Sequence, residues 1–209
     1  MQATPIIELL SGVYRFLPNT LTASLIILGI FLGKIAWILI GLGAVGLSIL
    51  VSLLQYGKVK SIGTYGTLSG VAAVSACSVV PSTSESFETV PSLWMATALF
   101  YMTYIMKNAL VVYSAKPMGT TSDSLMVQHR KGVGIVSIIT TVILLAFLII
   151  PRAFWSRCES MLGGLIGGLI GIGFGIMWWY ILNACGADVY PDIHGVMIGI
   201  RPGRLADPN

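Results

Sequence analysis

Thr97, Tyr101, Tyr104 and Asn108 follow one another at i, i+4, i+7 and i+11 in an otherwise apolar stretch, and Lys107 sits beside Asn108. On an α-helix this spacing gathers hydroxyl, phenol and amide groups on one face, since residues three and four apart lie one above the other. Two kinds of chemistry suit such a face. It can hydrogen-bond to a neighbouring helix as a polar seam, with Lys107 snorkelling towards lipid headgroups on its long stem. Alternatively it can line the path of a small channel or carrier, where the lysine would favour anions.

Other arrangements capable of chemistry are weaker. The chain has 8 acidic residues and 2 histidines, all outside the apolar stretches, so the spans lack the groups that proton-coupled transport and haem ligation use. Asp188, Asp192, His194 and Arg201 occur together near the carboxyl end. A lipid-headgroup enzyme would need basic groups and a general-base histidine converging on phosphate, and here one histidine stands without a second motif. Pro191 and Gly195 favour turns, and Val196, Ile198 and Ile200 alternate as an edge contact would. Gly41, Gly43 and Gly46 in GLGAVG match the dinucleotide fingerprint, yet no acidic residue lies between Glu8 and Glu85 to hold a ribose. Those glycines, with Gly29 and Gly33, read as helix packing. Cys77, Cys158 and Cys185 form no CxxC pair and have no histidine at metal-ligand spacing. No catalytic residue, cofactor or metal ligand is assigned.

The elements that position these residues follow from composition. Hydrophobic residues make up 56% of the 209 and charged residues only 10%, with a mean hydropathy of +0.88, where soluble domains carry about 25% charged residues. This is the composition of an all-α, polytopic integral membrane protein. The net charge of +4 and pI near 9.1 come from basic residues scattered singly, which suit topology and lipid headgroups rather than nucleic acid.

Residues 1–20 place Ile6, Ile7, Leu10, Val13 and Leu17 at helical spacing and read as an amphipathic segment on the membrane surface, ending near Pro18 and Asn19. They resemble neither a cleavable signal peptide nor an Arg-rich transit peptide. Residues 21–184 read as one transmembrane domain with spans at 35–56, 92–113, 132–150 and 161–183, residues 21–33 forming a tilted extension or a half-helix, and 185–209 as an irregular tail. Residues 61–80 are uncharged and rich in small residues. If they cross, Lys58, Lys60, Lys116, Arg130, Lys131, Arg201 and Arg204 face Arg15, Arg152 and Arg157 across the bilayer, seven to three; if not, the split is six to four. The positive-inside rule then favours five spans over four, with the amino terminus outside.

The last span, MLGGLIGGLIGIGFGIMWWYILN, repeats Gly163, Gly167, Gly171 and Gly175 at every fourth position, with Gly164 and Gly168 beside them. Such a glycine zipper forms a groove that another backbone can enter. Trp178, Trp179 and Tyr180 mark the membrane interface. These features together point to a non-catalytic structural subunit that packs through glycine-rich helices and meets partner proteins by its loops and tail. Its setting is a membrane complex, organellar or bacterial, or the internal membrane of a virion, and its partners are lipids and other subunits, with self-association open to the same packing. A channel or carrier using the Thr97–Asn108 face is the alternative, and a headgroup enzyme the third reading.

Overall fold

The computed structural model describes residues 5–62, 91–114, 124–150 and 161–185, which form five helices: α1 (Pro5–Phe31), α2 (Ile35–Ile62), α3 (Leu93–Ser114), α4 (Ser124–Ile150) and α5 (Met161–Ala184). Four of them carry apolar stretches long enough to cross a bilayer, at Ile35–Gln55, Leu93–Ser114, Lys131–Ile150 and Leu162–Ala184. The chain is a multi-pass, all-helical membrane protein.

α1 departs from the expected layout. Its backbone continues through Pro18 in a single helix of 27 residues, so no boundary falls near residue 20 between a surface helix and a membrane extension. Proline removes one intrahelical donor and crowds the preceding turn. Nearby hydroxyls back-bond to carbonyls one turn earlier: Thr20 donates to Phe16 O at 3.0 Å and Thr22 to Pro18 O at 2.8 Å. α1 ends in a Schellman turn, with Lys34 N–H on Gly29 O at 2.8 Å and Gly33 N–H on Ile30 O at 3.2 Å. Gly33 takes the left-handed position at φ 61°, which a Cβ would disfavour. The chain reverses there, and α2 returns along α1 with Gly29 against Ile38 and Gly41 against Ile26.

α3 is the hub. At its amino-terminal end Ser92 is 1% exposed; its N–H donates to Gly163 O of α5 at 2.9 Å and its Oγ accepts from Met95 N–H at 3.1 Å as an N-cap. Gln55 of α2 donates from Nε2 to Pro91 O at 2.7 Å. The end of α2 therefore meets the start of α3, and these two helices run antiparallel. Residues 61–80, the expected fifth crossing, lie outside the described residues except Ser61 and Ile62, which end α2. The helix that folds back on α2 is α1.

α5 runs parallel to α3, and the glycine ridge lies between them. A Cβ on Gly167 would fall on the backbone of Ser92, one on Gly171 on the carbonyl of Ala96, and one on Gly175 2.9 Å from Phe100 O. Gly168 is buried against Leu99 and Gly164 is half-buried. α4 returns antiparallel along α3, with Gly134 against Tyr113 at one end and Leu148 against Trp94, Met95 and Ala98 at the other. Its opposite face, including Val136, Ile139, Ile143 and Phe147, is exposed, as a lipid-facing helix requires.

Gly171→Ala, which drives a methyl into α3 backbone, is expected to cost about 1–3 kcal/mol, whereas Gly173→Ala, with nothing within 4 Å of its added Cβ, should be neutral. Unfolding of both variants in detergent, followed by loss of helical circular dichroism, checks the difference. Equal midpoints would mean that the α3–α5 approach is looser than described.

Candidate functional site

The polar residues of α3 face inward. Thr97 and Tyr101 are each 3% exposed, Tyr104 is 1% and Asn108 is 0%. Their row continues the core in which Phe100, Tyr101, Tyr104 and Val112 pack with Ile40, Ala44, Leu47 and Val51 of α2 and Trp179 and Leu182 of α5. Thr97 Oγ1 donates to Leu93 O of its own helix at 2.9 Å. The Tyr101 hydroxyl lies 2.7 Å from Thr22 Oγ1 of α1. Because the Thr22 proton is committed to Pro18 O, its oxygen accepts from the tyrosine. Thr22, one hydroxyl in a long apolar run, is the partner that sequence reasoning missed. Set between Thr20 and Ser24, it carries no signal that singles it out; only the fold of α1 onto α3 brings it to Tyr101.

Lys107 is off this row. Its neighbour Asn108 is buried, while Lys107 is half-buried and its Nζ sits 5.4 Å from the centroid of Trp179 and 5.0 Å from that of Tyr180. Both distances are within cation–π range. The residues grouped by spacing are thus divided: Thr97, Tyr101, Tyr104 and Asn108 share the packed interior, and Lys107 goes to α5. The aromatic triplet of α5 is divided as well. Trp178 points to α2, where its Nε1–H donates to Leu39 O at 3.1 Å. Gly43 makes this possible, since a Cβ there would lie 2.5 Å from the indole nitrogen. Phe174 stacks on Trp178 with centroids 5.9 Å apart and rings 9° from parallel. The GLGAVG glycines lie within helix α2, Gly41 against α1 and Gly43 and Gly46 against α5.

Among the described residues no group of three or more His, Cys, Asp or Glu side chains is placed to hold a metal ion. Cys185 is exposed and free. Cys77, Cys158, Asp188, Asp192, His194 and Arg201 lie outside the described residues. Comparison with family models, with curated proteins and with solved structures finds no match to this chain.

The Thr22–Tyr101 bond is expected to dock α1. Thr22→Val leaves a buried phenol proton without its acceptor and should destabilise the bundle more than Tyr101→Phe does. A double-mutant cycle in detergent should return a coupling of about 0.5–1.5 kcal/mol; a value near zero would leave α1 held by apolar packing alone.

Proposed function

We propose that this chain is a non-catalytic structural subunit of a membrane assembly, an accessory member of a membrane complex or a protein of a virion's internal membrane. The reading is supported chiefly by the sealed polar row of α3. A channel or carrier using Thr97, Tyr101, Tyr104 and Asn108 needs them to reach water or a solute at some stage, yet each is at most 3% exposed, and Tyr101 and Tyr104 belong to the core shared with α2 and α5. In lipid, where apolar contact gives helices no advantage over tails, buried polar groups and close backbone approach are what hold a bundle together, and this row supplies the former.

The same packing changes where partners would bind. The ridge of Gly163, Gly167, Gly171 and Gly175 is occupied by α3 of the same chain, so contacts with other subunits fall to the connections, the tail and the exposed row of α4. That assignment differs from one in which the glycine groove receives a foreign helix.

Gentle extraction into nanodiscs from the native source, followed by native mass spectrometry, tests the proposal. The full chain should emerge in a defined complex, and deleting residues 186–209 should release partners while leaving the thermal midpoint of the bundle unchanged. A chain that emerges alone, and that gives anion flux in liposomes abolished by Lys107→Met, would replace the assembly reading with the channel.

A further inference from the structure

We propose that Lys107, Trp179 and Tyr180 form a site for the phosphate of an anionic phospholipid, at the end of the bundle where α3 and α5 finish. Lys107 Nζ lies between two aromatic rings, 5.0 and 5.4 Å from their centroids. The rings attract the ammonium through their quadrupoles but carry no net charge, so they do not neutralise it. The described side chains, those of residues 16–55, 91–114, 128–129, 131–150 and 162–185, include no Asp or Glu. Among the described residues the bundle supplies no counter-ion, and an anion from the lipid would stabilise a charge in this low-dielectric zone.

The geometry selects the source. Trp179 is 5% exposed and forms the inner wall, whereas Tyr180 is 53% exposed and stands on the outward side of α5, beside Ile176, Met177 and Ile181, which are also exposed. The ammonium is thus reached from the lipid side, along an apolar row that acyl chains can cover. A free phosphate would gain nothing from that row. Lys107 lies about 10 Å below the end of α3 at Ser114 at 1.5 Å per residue, a depth from which its stem reaches the headgroup zone. The Tyr180 phenol, exposed at the same level, is a second donor to the phosphate. A zwitterionic headgroup brings its own cation to the phosphate and competes with Lys107; phosphatidylglycerol does not, which makes the site selective for anionic lipid.

The full chain in nanodiscs of equal phosphatidylcholine and phosphatidylglycerol, released for native mass spectrometry, provides the test. The wild type should retain phosphatidylglycerol over phosphatidylcholine by about five-fold, the worth of one lysine near an anionic surface. Lys107→Met should bring that ratio to unity, Lys107→Arg should preserve it, and Lys131→Met, a basic residue at the same end of the bundle, should leave it unchanged. No preference in the wild type, an undiminished ratio in Lys107→Met, or loss of it in Lys107→Arg would overturn the site. Binding of inorganic phosphate in lipid-free detergent, read as a Lys107-dependent change in tryptophan fluorescence, would overturn the lipid assignment in favour of a free anion.

Discussion

The close approach of the α3 and α5 backbones is the constraint on which the other contacts rest. Glycine at every fourth position removes the side chains that would hold two helices about 8–10 Å apart, and the Ala96 carbonyl then sits where the Cβ of residue 171 would be. The parallel register set by this contact has consequences at both ends. It places Gly163 O to accept from Ser92 N–H, which closes the start of α3, and it carries Trp179 and Tyr180 to Lys107. It also turns Phe174 and Trp178 towards α2, where Gly43 leaves room for the indole to reach the Leu39 carbonyl.

Around that pair the bundle is uneven for a physical reason. Between helices in lipid there is no gain from burying apolar surface, so contacts last where backbones come close or polar groups find each other. α3 has both, and its residues are the most buried of the five helices. α1 is tied to it by the Thr22–Tyr101 bond and α2 by Gln55 on Pro91. α4 meets α3 through Gly134 and through Leu148 and leaves most of its branched side chains to the membrane, where they are as well solvated as in a core.

Much of the architecture was legible from composition. The expected spans 35–56, 92–113, 132–150 and 161–183 match α2 to α5 within a turn or two at most ends, because an uncharged apolar run of that length has no stable alternative to a membrane helix. α4 begins earlier than expected, at Ser124, in a polar stretch whose helicity hydropathy does not report. Pro18 and Asn19 read as a stop, yet α1 runs through them from Pro5 to Phe31, with its later turns packed on α2. Counting basic residues weighs loops alone and says nothing of which helices touch, while the direction of α2 against α3 is set by contacts such as Gln55 with Pro91.

The amino-acid sequence by itself determined that this is a multi-pass helical membrane protein, that its last helix carries a glycine face and that α3 carries a polar one, since hydropathy and helical periodicity are local properties. Which surfaces those faces meet was decided only by the tertiary structure. A ridge of glycines specifies a close neighbour without naming it, and a lysine next to a polar row stands about 100° round the helix from its neighbour, so the row does not fix where it points. Packing chose α3 as the neighbour of the glycines and separated Lys107 from Asn108, turning the amide into the core and the ammonium towards the aromatic edge of α5.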